Sequence, residues 1–225
     1  TVFSPFLRSS AAIRAGQLVK ATRTGQLLAA LAVRLRPAKN GLGDWGGMQM
    51  FLNNRIDGDD PRLATTASLF RENLLDIAAS GRKAGASVFL CTVLTNEKDF
   101  APFSSGHRAG LTKADEARWQ ELFEAGLSSL RAGDDASAEK SLRGALAIDD
   151  HFAELDFQLA RLCLRQNRSQ EARPLFQQAL DWDRLRFRTD STLNDTVRGL
   201  SGVPGVRVID LAAAAERLSP SAVIG

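Results

Sequence analysis

The sequence has few of the residues from which disulfide scaffolds and zinc sites are built. It contains two cysteines and two histidines in 225 residues. Two cysteines are too few for a disulfide framework, and because Cys91 and Cys163 both lie in apolar stretches, we expect them to be buried and unbridged. Neither His107 nor His151 has a cysteine or second histidine at ligand spacing, so the sequence predicts no metal site.

Long apolar runs are also missing. No stretch approaches the ~20 consecutive apolar residues that a membrane-spanning helix needs. Hydrophobic residues make up 44% of the chain and charged residues 24%, which is the composition of an ordinary globular protein.

The glycines Gly41-x-Gly43-x-x-Gly46 have the spacing of a dinucleotide-binding loop. Such a loop must follow a strand and open a helix. This segment instead follows a basic helical stretch and Pro37, so the sequence predicts no nucleotide and no other cofactor. We interpret the glycines as a sharp turn that brings Trp45 either into the core or to the edge of a cleft.

Acidic residues are absent from the first 40 positions, which carry seven basic residues. Apolar positions at helical spacing predict a basic amphipathic helix within residues 8–39. It could contact an anionic surface, but we favour a solvated basic face around a docked apolar stripe. Nucleic acid is not a predicted partner, because no aromatic residue stands between Phe6 and Trp45 to stack on bases.

Two segments have the pattern of an α/β domain. Pro61 predicts the start of a helix that ends near Gly81, and the continuous apolar run 86–94 that follows is typical of a strand buried in a parallel sheet. A second strand candidate, 206–211, follows a helix predicted over about 185–200. We therefore predict an α/β fold in which the two strands are parallel neighbours.

The loop after the first strand is the best-placed ligand site, because ligands of open α/β sheets bind beyond the carboxyl ends of the strands. This position makes Asn96, Glu97 and His107 candidate substrate-proximal residues. A solvated connector is the alternative for each polar residue of the loop. Further along, Asp149 and Asp150 are predicted to cap the helix that follows them.

Residues between these two α/β segments repeat at an offset of 34. Small residues recur at equivalent positions, as do the motifs Ala145-Leu-Ala-Ile-Asp and Ala179-Leu-Asp-Trp-Asp. The period resembles that of tetratricopeptide repeats, in which small residues let the backbones of a helix pair approach closely. We place the repeats at about 119–152 and 153–186. Where that family usually has a Tyr in the first helix, the two repeats have Ser129 and Cys163. Where it has a closing Pro, they have Asp150 and Arg184.

A tetratricopeptide-like pair presents a groove for a protein or peptide partner. The candidate groove residues on the first helices are Phe123, Leu127, Phe157 and Arg161. For the two phenylalanines we favour a place in the core, because a unit of two repeats has apolar surface to bury.

The arrangement as a whole resembles the later half of an SGNH (GDSL-type) hydrolase with a tetratricopeptide insertion. The resemblance lies in Phe70-Arg-Glu-Asn-Leu-Leu-Asp-Ile-Ala, in 85–96, and in 181–211. It implies a partial three-layer α/β/α, flavodoxin-like domain made of 1–110 and 185–225, with 111–184 as a helical insertion. Trp45-Gly-Gly-Met-Gln-Met-Phe is similar to the segment that follows the family's Asn block, so the resemblance also makes Trp45 a candidate substrate-proximal residue at the acyl pocket.

The resemblance also implies ester cleavage or acyl transfer by a serine nucleophile, an oxyanion site of Gly and Asn, and a histidine base. The blocks that carry these residues would lie outside residues 1–225, so no catalytic residue is assigned. We expect the chain alone to be inactive and to need the flanking segments of its own domain. The alternative function is a tetratricopeptide protein-interaction module without catalysis.

Overall fold

The computed structural model describes residues 10–35 and 55–225. Trp45 and the glycine-rich segment around it lie outside these ranges, as do the two ends of the predicted basic helix. Among the described helices, none is long and apolar enough to cross a membrane.

The N-terminal helical segment is divided into two helices, α1 (Ser10–Ala21) and α2 (Arg23–Leu35). The hydroxyl of Thr22 donates to the carbonyl of Val19 at 2.7 Å and accepts from the N–H of Gly25 at 3.0 Å. One side chain thus satisfies backbone groups at the end of α1 and at the start of α2. The helical prediction is confirmed, but the single continuous helix is wrong.

The α/β part begins with helix α3 (Pro61–Lys83), which leads into strand β1 (Val88–Cys91). Asp60 caps α3 by accepting from the N–H of Arg62 at 2.8 Å, and Pro61 stands where a helix tolerates it best. Strand β2 (Val206–Ile209) pairs with β1 in parallel. The predicted pairing of parallel neighbours is therefore confirmed, and these two strands form the sheet of the described residues.

One face of the sheet is covered by α3 and by a short helix, α8 (Ser191–Arg198). The core between the sheet and these two helices is formed by Leu90, Val197 and Leu200. The partly buried side chains packed against it are Phe70, Leu74, Leu75, Val88, Val203, Val206 and Val208. Helix α8 starts later than the predicted helix over 185–200, because Asp190 caps it by accepting from the N–H of Leu193 at 3.0 Å.

The described residues leave the other face of the sheet uncovered. Phe89 is 56% exposed, and Cys91 is also exposed, whereas Cys163 is buried. The prediction that the run 86–94 is a buried strand holds for Leu90 and Thr92 but is wrong for Phe89, Val93 and Leu94. The buried position expected for Cys91 is also wrong. Side chains of a strand alternate between the two faces, and the described elements cover one of them.

Five helices lie between the strands in sequence, and each of the first four packs against its neighbour in the chain. These four are α4 (Lys113–Ala132), α5 (Asp135–Leu146), α6 (Ala153–Arg165) and α7 (Ser169–Asp181). Helix α8 contacts both α7 and α3 and so joins the repeats to the sheet. A last helix, α9 (Leu211–Leu218), follows β2.

Candidate interaction surface

The helix pairs α4–α5 and α6–α7 are structural repeats of one another. Gly133 ends α4 in the left-handed region with φ of 77°, and Asn167, 34 residues later, follows α6 with φ of 60°. Glycine and asparagine are the residues that adopt this conformation most readily. The two turns are therefore built by the same device at the same position of the repeat.

Small residues let the helices of each pair approach closely. Ala138, Ala160 and Ala172 are fully buried, and a Cβ added to Gly126 would lie 2.7 Å from the side chain of Leu142. These are positions at which the sequence predicts small residues. The core around them is continuous across both pairs and includes Trp119, Leu155, Leu159, Leu162 and Phe176.

The structure gives the four candidate groove residues different roles. Phe123 and Phe157 are buried, the first stacked on Trp119 with ring centroids 4.7 Å apart. Leu127 is partly buried against the same core. Arg161 is exposed, and its guanidinium carbon lies 5.7 Å from the centroid of the Phe157 ring. The two phenylalanines thus belong to the core beneath the helix surface, while the side chain of Arg161 is exposed to solvent.

Arg161 belongs to a row of polar side chains on α6, which we call the α6 polar row: Glu154, Gln158, Arg161 and Arg165. Their spacings of four, three and four residues place them on one side of the helix. Gln158 donates to Glu154 at 2.6 Å, and Arg165 forms an ion pair of 2.7 Å with Asp135 of the first repeat. The row is therefore acidic at one end, basic at the other, and tied to the neighbouring repeat.

Burial raises the pKa of Glu154, and this effect is opposed by its hydrogen bond from Gln158 and by the positive charge of Arg161. The backbone N–H of Glu154 donates to the hydroxyl of Ser105 at 2.9 Å. Ser105 therefore caps α6 from a distant loop. The prediction that Asp149 and Asp150 cap this helix is wrong, because Phe152 occupies the cap position without a side-chain bond.

Asp149 instead anchors the loop between β1 and α4, and so does its equivalent in the second repeat, Asp183. Both carboxylates are buried. Asp149 lies 2.7 Å from Nδ1 of His107, and Asp183 accepts from the backbone N–H groups of Phe103 and Ser104 at 2.9 and 3.1 Å. The 34-residue offset already pairs these aspartates in the sequence, and that signal could have identified them.

The candidate substrate-proximal residues lie in three separate depressions. Asn96 lines an open cleft of about 380 Å³ at the carboxyl end of β1, with Phe100, Phe103 and Phe187. Glu97 lies in a narrow seam with Gln177 and Glu216, where burial, followed by the charge of Glu216, raises its pKa to about 7. His107 packs between Trp119 and Phe152, with centroids 4.6 and 4.9 Å away. The structure does not bring the three into one site, and Trp45 lies outside the described residues.

The sequence did not single out Arg188, which fixes the wall of the cleft. Its guanidinium donates to the carbonyls of Asn96 and Phe100 at 3.2 and 2.8 Å and pairs with Asp183 at 3.1 Å. A charge-assisted set of this kind holds a loop firmly. The cleft is therefore attached, through Asp183, to the second helical repeat.

Comparison with known proteins supports the repeat. A family model of the tetratricopeptide repeat matches residues 129–188, which begin in α4 and include α5, α6 and α7. No curated protein and no solved structure matches the chain. The segment is thus similar to tetratricopeptide repeats, while none of these comparisons supports the resemblance to SGNH hydrolases.

Proposed function

We propose that this chain is a protein-interaction module whose docking element is the pair of helical repeats within residues 111–184. The observation that carries the proposal is the tetratricopeptide match over residues 129–188. Repeats of this kind stack helix pairs and bind partners on the surfaces that stacking creates. The remaining residues, 1–110 and 185–225, are in our proposal a discontinuous α/β unit on which the repeats rest.

The docking surface that we propose is the α6 polar row with Leu127. Arg161 is its central contact, because its guanidinium is exposed and held over the Phe157 ring. A planar guanidinium recognises carboxylates by paired hydrogen bonds, so the expected partner is a peptide segment with an acidic group. Partly buried Leu127 offers apolar contact for a neighbouring side chain of that segment.

The test is a selection of peptides from a displayed random library on the full chain. Affinities of the selected peptides are then measured for the unchanged chain, for Arg161→Glu and for the matched variant Arg131→Glu, which changes an exposed arginine at the end of α4. We expect acidic peptides whose affinity falls at least tenfold in Arg161→Glu and stays unchanged in Arg131→Glu. Peptides that bind all three proteins equally would refute the docking surface.

A second candidate function is that of part of an ester-cleaving or acyl-transferring SGNH-type enzyme. It is favoured by the parallel pairing of β1 with β2 and by the cleft lined by Asn96 at the carboxyl end of β1, where α/β enzymes bind ligands. In this proposal Asn96, which lines the cleft, is the residue nearest the substrate. Glu97 and His107, which the sequence also suggested, lie in other depressions, and Trp45 lies outside the described residues.

This candidate places the nucleophile and the base outside residues 1–225. The chain alone is therefore expected to hydrolyse p-nitrophenyl acetate no faster than buffer does, whereas a longer product of the same gene should hydrolyse it. Turnover by the chain alone would refute this assignment of the catalytic blocks. A longer product without esterase activity would refute the proposal that the chain is part of an SGNH-type enzyme.

A further inference from the structure

Helices α1 and α2 expose almost their whole surface. From Ala15 to Ala32, every residue except Gly25 and Ala29 is exposed. Leu27 and Leu28 are 62% and 64% exposed, so the apolar stripe that the sequence predicts to be docked is open. Helices of 12 and 13 residues are only marginally stable alone in water. A surface that covers the stripe would stabilise both helices.

The exposed side chains form an amphipathic pattern. In α2, Leu27, Leu28 and Leu31 lie on one side of the helix, since their spacings are one, three and four residues. Arg23 precedes Leu27 by four residues and Arg34 follows Leu31 by three, so the two guanidinium groups border the leucines. In α1, the exposed residues Leu18 and Val19 are followed by Lys20.

The positive charge of residues 1–40 indicates that the surface which covers the stripe is anionic. Residues 1–40 contain seven basic residues and no acidic one, while the whole chain has a net charge of only +3. Leucines bordered by arginines are typical of helices that lie in the interface of an anionic bilayer. Long basic side chains reach the headgroups there while apolar side chains enter the acyl boundary.

We propose that α1 and α2 bind the surface of an anionic lipid bilayer, with Leu27, Leu28 and Leu31 at the acyl boundary and Arg23 and Arg34 at the lipid phosphates. This interaction is independent of the docking function of the repeats. A nucleic acid would also match the charge, but it offers no apolar layer to the leucines. A second copy of the chain could cover the leucines, but its own basic segment would repel the arginines.

The test is co-sedimentation of the full chain with vesicles of phosphatidylcholine alone and of phosphatidylcholine mixed with phosphatidylglycerol. We expect binding to the mixed vesicles only, and weaker binding as salt is added. Each basic residue near an anionic membrane contributes about 1 kcal/mol, so Arg23→Gln/Arg34→Gln should weaken binding about 30-fold. Leu27→Gln/Leu28→Gln should weaken it at least as much, because two large apolar side chains no longer enter the bilayer.

Matched variants separate this surface from the rest of the molecule. Ile77→Gln/Leu218→Gln changes two other exposed apolar residues, and Arg131→Gln/Arg217→Gln changes two other exposed arginines. Both should bind the mixed vesicles as the unchanged chain does. All the changed side chains are exposed, so the urea midpoint of unfolding checks that each variant folds.

Several results would overturn the proposal. These are an absence of binding to the mixed vesicles, equal binding to both kinds of vesicle, and binding that survives Leu27→Gln/Leu28→Gln. Binding to a single-stranded oligonucleotide in place of the vesicles, unaffected by the leucine changes, would assign the region to nucleic acid. Self-association in sedimentation equilibrium that the leucine changes abolish would assign it to a second copy.

Discussion

The carboxyl group of Asp156 is buried in the repeat core, in surroundings that disfavour its charged form. The residue is 0% exposed, and neither carboxyl oxygen has a hydrogen-bond partner in the described structure. Burial raises its pKa to about 8, and the charges of Asp150 and Asp149 add to the effect. Replacement by asparagine keeps the shape of the side chain and removes the ionisation.

The sign of the pH dependence follows from the two states of Asp156. In the unfolded chain the carboxyl ionises near pH 3.9, whereas in the folded chain it stays protonated up to about pH 8. The folded state therefore binds more protons in this window, and the free energy of unfolding falls as the pH rises through it. A separation of about four pH units corresponds to about 5 kcal/mol once the window has been crossed.

We therefore expect Asp156→Asn to match the unchanged chain at pH 4 and to be several kcal/mol more stable at pH 8. For a chain of this size that gain raises Tm by roughly 10 °C or more. The assay is urea unfolding followed by circular dichroism at pH 4, 6 and 8. A stability difference that does not change with pH, or a loss of stability at pH 8, would refute the reasoning.

Asp149 provides the contrasting variant. It is also buried, but it accepts from the backbone N–H of His151 at 3.1 Å and pairs with His107. Asp149→Ala removes these partners and should destabilise the chain by about 1–3 kcal/mol, since the donors remain buried without an acceptor. At pH 8 we expect Asp156→Asn to raise the free energy of unfolding and Asp149→Ala to lower it. This contrast would separate the cost of an unpartnered carboxylate from the benefit of a partnered one.

Three further predictions follow from single contacts. Gly58→Ala should destabilise the chain by about 1–3 kcal/mol and change Trp182 fluorescence, because a Cβ at this position would lie 2.3 Å from the indole ring in a packed site; an unchanged urea midpoint would contradict this. Asn194→Ala should speed amide exchange at Val93, whose N–H donates to the Asn194 side chain at 2.8 Å, relative to Leu90 as an internal reference. Ellman's reagent should titrate one thiol, Cys91, in the folded chain and two in urea, because Cys163 is buried; two fast thiols in the folded chain would contradict the packing of α6.

Local patterns in the sequence predicted the parts of the fold that depend on local physics. The 34-residue offset predicted the small residues at the helix crossings, because close approach requires them wherever a pair packs. The apolar runs at 86–94 and 206–211 predicted the parallel pair, since the intervening chain supplies the required crossover. Helix α3 was also predicted, because Pro61 favours the first position of a helix.

Other features could not be read from local patterns. The apolar run of β1 predicts a buried strand, yet the covering of each face depends on which other elements reach it. The contact of His107 with Asp149 and the capping of α6 by Ser105 join residues more than 40 positions apart. Residue type and local spacing give no sign of such contacts. The buried loop anchors could have been predicted only by asking why an aspartate recurs at the end of each repeat.

The loop anchors connect the two candidate functions physically. Asp183 closes the second repeat and holds the backbone of Phe103 and Ser104, while its ion pair with Arg188 fixes the carbonyls of Asn96 and Phe100. Side chains that form one hydrogen-bonded network do not respond independently to perturbation. A displacement of α7 would therefore change the shape of the cleft at the carboxyl end of β1. The repeats thus support that cleft as well as carrying the proposed docking surface, because one buried carboxylate belongs to both.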